Sequence, residues 1–293
     1  MRRAQRYGRA MGSDLHVIVW ARGPAAERLA DLAVLRVELL ERCWSRFRPG
    51  SELNRLNARA GCGATAVSDD LHRLVTALVD AYTWSDGDVD ASVLGAMLTL
   101  GYREDFASVA MSLPGNATPA PTAAPGLGGV RVGERVVCLP AGVGLDPGGV
   151  GKGLAGDMVT EEIHDAGAHA VLVGIGGDVV TRGIPPDAGS WRVAMRDDRF
   201  DEPTECRVLD LTPRHRAVAT SSILRRRWAG GHHLLQPHTG RPALSDIVQA
   251  TVLADCGWRA EAAATVGVIR GASSADWLID RGCMPYLLGA GDG

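Results

Sequence analysis

GVGLDPGGVGKGLAGD, from Gly142 to Asp157, is a glycine-rich run with a single lysine and two aspartates. It sits between a β-like segment starting at Val136 (VVCLP) and a helical one starting at Met158 (MVTEEI). Glycine lets backbone come close to a ligand, and the N–H groups opening the following helix suit an anion such as a pyrophosphate. The run is not a P-loop. Counting back from Gly151-Lys152, the required first glycine falls on Asp146, and Lys152 is followed by Gly153 where Ser or Thr is needed. Gly151, Gly153 and Gly156 do form a G-x-G-x-x-G, with Asp178 at the distance of a ribose-binding acid. A dinucleotide fold puts its first glycine directly at the strand end, however, and here Asp146-Pro147-Gly148-Gly149 intervene.

Outward from this loop, hydrophobic periodicity sketches the elements. LHVIVW (Leu15 to Trp20) reads as a first strand, and Gly23-Pro24 opens a helix with Leu29, Leu32, Leu35, Leu39 and Leu40 at helical spacing. Ser68 is placed to N-cap a second helix, with Asp69 and Asp70 in its first turn. Its apolar stripe is Leu71, Leu74, Val75, Leu78, Val79 and Tyr82. The Pro/Ala/Gly-rich stretch 107–129 has no periodicity and reads as a flexible surface connection inside one domain. VRVGERVVCL (Val130 to Leu139) reads as a hairpin, and AVLVGIGGDVVTRG (Ala170 to Gly183) as a buried strand ending in glycines. Trp191, Val193 and Met195 alternate, as antiparallel strands do. A helix from Trp258 to about Ile269, a short helix and the strand MPYLLG close the chain. Strands clustered in the second half with helices among them predict an α+β fold of mixed α/β layers.

Composition narrows the partners. The 293 residues are 46% hydrophobic and 22% charged, with a net charge of −3, which gives no general attraction to nucleic acid or acidic membranes. Residues 1–10 (MRRAQRYGRA) are basic and read as a flexible, solvated arm ahead of a domain over 11–293. No apolar stretch follows these arginines and none approaches the length of a membrane span, so membrane insertion is not expected. Six cysteines lie scattered without C-x-x-C or zinc spacing, as reduced thiols in a cytoplasmic protein would.

Seven blocks complete the pattern. Upstream of the glycine loop are MGS (from Met11), SRFRPGSELNRLN (from Ser45) and DGDVDAS (from Asp86). Downstream are VLVGIGGD (from Val171), AVATSS (from Ala217), HHLLQPHTGRP (from His232) and RAEAAAT (from Arg259). In this order and spacing they resemble the ApbE family of flavin transferases, from about Met11 to the C-terminal strand. The resemblance implies a single domain with a largely antiparallel sheet and flanking helices. It implies an FAD:protein FMN transferase that moves the FMN part of FAD to a threonine of an acceptor flavoprotein and releases AMP.

Residue chemistry and resemblance together nominate the site. Glu261 and Thr265 are four apart on a predicted helix, so a carboxylate and a hydroxyl share one face. With a carbonyl from the glycine loop they make an oxygen-only site suited to Mg²⁺. The family holds its metal with an Asp and a Thr at this spacing, which carries over to Glu261, Thr265 and the carbonyl of Gly149; Glu is one methylene longer. Lys152 is expected to neutralise phosphate charge, and His233 to act as general base on the acceptor hydroxyl. The acid of the family's D-P pair is Gln236 here. The resemblance also assigns FAD contacts to Met11, Phe47, Asp88, Val89, Asp90, Asp146 and Leu235. Asp178, Thr220 and Ser221 are expected to line the same ligand cavity. Arg225-Arg226-Arg227 reads as a solvated basic turn. Three further readings stay open: a flavin-binding protein that has lost transfer, motivated by Glu261 and Gln236; a nicotinamide-dependent dehydrogenase resting on the G-x-G-x-x-G; and a zinc site at His232, His233 and His238.

Overall fold

A computed structural model describes residues 1–104, 120–200, 204–228 and 231–291. Its frame is a seven-stranded sheet. The strands are β1 (Arg2–Ala10), β2 (Ser13–Ala21), β3 (Ala170–Ile175), β4 (Asp178–Arg182), β7 (Ala217–Ser222), β8 (Ile247–Ala254) and β9 (Met284–Gly289), adjacent in that order and all antiparallel. Between β4 and β7 the chain makes a separate hairpin, β5 (Trp191–Asp197) and β6 (Thr204–Leu211). One sheet face carries α1 (Ala25–Trp44), α5 (Gly151–Asp165) and α6 (Gly257–Arg270). Trp191, Met195, Leu209 and Leu211 of the hairpin cover part of the other, against Ile18, Leu172, Val218 and Leu253. Both faces of β3 and β8 are therefore occupied, and every residue of these strands is buried. The remaining helices are α2 (Glu52–Asn57), α3 (Asp69–Trp84), α4 (Leu94–Thr99) and α7 (Ser274–Asp280).

Residues 1–10 are not a flexible arm. β1 pairs with β2 along its whole length, from Arg2 opposite Ala21 to Ala10 opposite Ser13. Its arginines find partners on α1: Arg6 reaches Glu27 at 2.9 Å and Asp31 at 2.6 Å, and Arg2 reaches Glu27 at 3.3 Å. Ala4 and Ala10 are buried between them. The strand opened by LHVIVW is thus the second, not the first.

The leucine stripe of α1 also differs from expectation. Leu32, Leu35 and Leu39 are exposed, and the buried face is Ala26, Leu29, Ala30, Ala33, Val37, Leu40 and Trp44. Leu29 and Leu40 of the expected stripe do face inward, but alanines fill most of the rest of that side, where small residues let α1 lie close on the sheet. In α3 the expectation holds. Ser68 accepts the N–H of Leu71 at 3.2 Å, and Leu71, Leu74, Val75 and Leu78 are buried. Of the stretch 107–129, residues 105–119 lie outside the described residues, and 120–129 carry no helix or strand.

The glycines of α5 serve packing. A Cβ on Gly153 would lie 2.2 Å from the carbonyl oxygen of Gly257, and one on Gly257 would lie 2.3 Å from that of Gly153. A Cβ on Gly156 would lie 2.5 Å from Val180 of β4. Helices α5 and α6 therefore cross at backbone contact, and the crossing is capped in both directions. Asp157 of α5 accepts the N–H groups of Gly257 and Trp258 at 2.8 and 3.0 Å, and Glu261 of α6 accepts the N–H of Gly153 at 2.8 Å. Each carboxylate satisfies donors at the start of the other helix, at the positive end of its dipole. Two of the three glycines of the G-x-G-x-x-G are thus accounted for by packing, Gly153 against α6 and Gly156 against β4, which weakens the dehydrogenase reading.

Candidate functional site

A cavity of about 1460 Å³ opens beside this crossing. Every nominated side chain lines it: Met11 from the β1–β2 turn, Phe47 after α1, and Asp88, Val89 and Asp90 after α3. Asp146, Gly149 and Lys152 come from the glycine loop, Asp178 from the start of β4, and Thr220 and Ser221 from β7. His233 and Leu235 enter from the loops before β8, and Glu261 and Thr265 from α6. The cavity exceeds the usual range for one small ligand, roughly 300–1,000 Å³.

The charged centre is Lys152. Its ammonium donates to Oδ2 of Asp178 and to Oε1 of Glu261, whose side chains are each 4% exposed. Asp178 Oδ1 accepts the Thr220 N–H at 3.2 Å. Burial pushes the Glu261 carboxyl up, opposed by Lys152 and reinforced by Asp178, to about 7. Lys152 is itself held above its ordinary value, because the Asp178 and Glu261 charges outweigh the burial that opposes its charge. Lys152 is also the only lysine in 293 residues, a signal visible in the sequence itself.

The metal ligands nominated from sequence are neighbours. The Thr265 hydroxyl donates to the Glu261 carbonyl at 3.2 Å and lies 3.4 Å from the Ser221 hydroxyl. A Cβ on Gly149 would lie 3.8 Å from that Thr265 oxygen, so the backbone of the glycine loop passes close by. Carboxylate, hydroxyl and carbonyl are the donors a hard divalent cation takes, so the set fits Mg²⁺ in kind. Both Glu261 oxygens already carry hydrogen bonds, from Lys152 and from Gly153. Among the described residues, no three His, Cys, Asp or Glu side chains cluster as a metal site, which removes the zinc reading of the histidines.

His233 is half-buried, and its Nδ1 is a buried atom without a hydrogen-bond partner. Burial, with the charges of Arg226, His232 and Lys152, drops its pKa to about 3. The ring is therefore neutral at physiological pH, as a base must be, although a weak one while the cavity holds only protein charges. His232 is committed elsewhere, 3.1 Å from the Ala243 carbonyl, and His238 is exposed.

Several nominated acids are already in use. Asp88 is held by Arg270 of α6, which also donates to the Ser85 carbonyl at 2.8 Å. Asp90 accepts the backbone N–H and hydroxyl of Ser92 at 2.8 and 2.7 Å, capping the turn that follows. Asp146 accepts the Gly148 N–H at 2.8 Å and pairs with Arg46 at 2.7 Å. These three carboxylates shape the loops of the cavity.

Two arginines join the site, one without a signal in the sequence and one against expectation. Arg46 is 4% exposed, donates to the Tyr102 carbonyl at 2.9 Å, and lies over the rings of Phe47 and Tyr102 at 4.0 and 4.5 Å. Its neighbour Phe47 is 37% exposed, so that ring is a cavity surface and not a core filler. Arg226, read as solvated, lines the cavity and donates to the Ser13 hydroxyl at 3.0 Å. Arg225 pairs with Asp198 at 2.8 Å.

Comparisons with known proteins agree with this geometry. The sequence profile of the ApbE family matches residues 11–287. An FAD:protein FMN transferase of Rhodobacter capsulatus is 30% identical over 87% of this chain, which spans about half of that relative's length. One of Salmonella typhimurium is 26% identical over 94% of this chain and 80% of its own. The crystal structure of an ApbE protein from Thermotoga maritima superposes with a TM-score of 0.81 at 21% identity, covering 100% of this chain and 96% of that one. The apo flavinyl transferase ApbE of Pseudomonas stutzeri gives 0.78 at 23% identity, covering 98% and 91%. At these identities the structures establish the shared fold.

Proposed function

This chain belongs to the ApbE family, and from that membership and its cavity we propose that it is an FAD:protein FMN transferase. The substrates are FAD and an acceptor flavoprotein carrying a target threonine; the products are the FMN-modified acceptor and AMP. The observation that carries the reading is the convergence, in one cavity, of a cationic lysine and arginine, a neutral histidine and an exposed aromatic ring. A pyrophosphate needs the first pair, a hydroxyl nucleophile the second, and an isoalloxazine the third.

In the proposed reaction the threonine Oγ attacks the phosphorus on the FMN side of the pyrophosphate. A new phosphoester bond forms, the bridging P–O bond breaks, and the electron pair leaves with AMP. His233 takes the hydroxyl proton. An anionic ligand opposes the Arg226 and Lys152 charges that depress this imidazole, so its basicity rises when the cavity is filled. Lys152 and Arg226, both lining the cavity, offset phosphate charge. Phe47, backed by Arg46, offers a face to the flavin. Mg²⁺ held by Glu261, Thr265 and the Gly149 carbonyl would supply further charge neutralisation at the pyrophosphate.

We place the protein in the cytoplasm. Cys43, Cys62, Cys138, Cys256 and Cys283 are free thiols, in keeping with a reducing compartment. No helix among the described residues is long and apolar enough to cross a membrane.

A second reading, FAD binding without transfer, draws on the engagement of both Glu261 oxygens and on Gln236 in place of an acid. One experiment separates the two. Incubation with FAD, Mg²⁺ and candidate flavin-domain acceptors is expected to give a fluorescent acceptor band and stoichiometric AMP. Intact FAD retained by a yellow protein, with no labelled acceptor, would favour the second reading.

A further inference from the structure

Both oxygens of Glu261 accept hydrogen bonds within the protein. Oε1 takes the Lys152 ammonium, and Oε2 takes the Gly153 N–H at 2.8 Å. The Gly153 donor is held in place, because it belongs to the backbone at the α5–α6 crossing, where neither glycine has room for a Cβ. The Lys152 donor is not fixed. It ends a flexible four-carbon stem and lines the cavity, 16% exposed. A divalent cation that uses Oε1 of Glu261 therefore meets the Lys152 ammonium at close range.

We infer that Lys152 and a divalent cation are alternative occupants of Glu261, so that the cation enters as Lys152 swings onto the ligand's pyrophosphate. Two buried carboxylates, Asp178 and Glu261, share this one ammonium. An ammonium and a divalent cation side by side on the same carboxylate would repel strongly where water is scarce. An anion in the cavity, which Arg226 also lines, offers the displaced ammonium a new partner. Cation and pyrophosphate consequently bind with positive linkage, each raising affinity for the other by the same factor. A lysine suits this exchange better than an arginine, whose planar fork would hold a carboxylate bidentately. In a chain whose every other basic side chain of this charge is arginine, the single lysine stands at this position.

The pyrophosphate half of the inference rests on the transferase reading; the competition at Glu261 does not. Because Lys152 is unique, selective ¹³Cε-lysine labelling of the wild-type chain gives one side-chain NMR signal to follow. Titration with Mg²⁺ alone is expected to bind weakly by calorimetry and to shift that signal as the site fills. Addition of ADP should tighten Mg²⁺ binding by about tenfold or more, after correction for the Mg²⁺–ADP complex. In Lys152→Met, Mg²⁺ should bind at least about tenfold tighter without ADP, and ADP should add little. Mg²⁺ should also restore part of that variant's lowered melting temperature. A Lys152 signal unmoved while calorimetry reports a filled site would overturn the inference, without needing any variant to fold. Equal effects of ADP on wild type and Lys152→Met would overturn it as well. FMN transfer is not read in these experiments, so a failure of the transferase reading would leave their outcome standing.

Discussion

Gly153→Ala tests the helix crossing that builds the site. The added Cβ would sit 2.2 Å from the Gly257 oxygen, 2.3 Å from its carbonyl carbon and 2.7 Å from the Trp258 nitrogen, all backbone atoms that no rotamer change can move. Ordinary contact distances between such atoms are about 3.5 Å, so the helices must separate by roughly 1 Å. Overpacking of this kind costs about 3 kcal/mol, the upper part of the usual range. Separation also stretches the charge-assisted bonds from Gly153 to Glu261 and from Gly257 to Asp157, worth about 1.5–3 kcal/mol each. The better helix propensity of alanine returns only about 1 kcal/mol. A net loss of about 4 kcal/mol corresponds to a melting temperature lower by roughly 8–16 °C for a chain of this size. The assay is a thermal melt followed by circular dichroism, with Gly95→Ala as control, since a Cβ on Gly95 meets nothing within 4 Å. A Gly153→Ala protein that melts with the wild type or with the control would refute the close crossing.

Glu261→Ala should lower FMN transfer by about a hundredfold or more, measured as AMP release, whereas Glu261→Asp should retain activity because its length is the one usual in the family. Asp157→Ala removes the acceptor of two N–H groups at the start of α6 and should cost about 1–2 kcal/mol in denaturant titration. Burial raises the Asp157 carboxyl to about 6, above its unfolded value. Its contribution is therefore fully present below about pH 4 and is lost as pH rises through 6; the stability gap between wild type and Asp157→Asn should shift in favour of the variant over that window. His233→Asn should reduce transfer by about 10²–10⁴-fold with FAD affinity, read by fluorescence quenching, little changed. Since the free-enzyme imidazole titrates near 3, kcat/KM should show no histidine inflection between pH 6 and 7.

What the sequence revealed was mainly local. The N-cap at Ser68, the hairpin turning after Gly133, and the i, i+4 pair Glu261 and Thr265 each depend on residues within one or two turns. The blocks carried the rest, because a ligand cavity constrains short runs that can be matched one at a time. What went unread depends on distant partners. Arg2 and Arg6 look like a solvated arm until Glu27 and Asp31 stand opposite them. Arg226 looks like part of a basic turn until the cavity and Ser13 are in place. The need for glycine at 153 comes from Gly257, 104 positions away, and no local pattern announces it. Leu32, Leu35 and Leu39 misled for a different reason: hydrophobicity alone points leucine inward, whereas close packing on a sheet selects alanine.

The central claim is transfer of an intact FMN to a threonine, and intact-mass spectrometry of an acceptor flavoprotein after incubation with this protein, FAD and Mg²⁺ measures it most directly. The account predicts an acceptor heavier by one FMN, with the modification mapped to a single threonine and lost when that threonine is replaced by alanine. An acceptor of unchanged mass, while FAD is cleaved to free FMN and AMP at the same rate with or without it, would contradict the account.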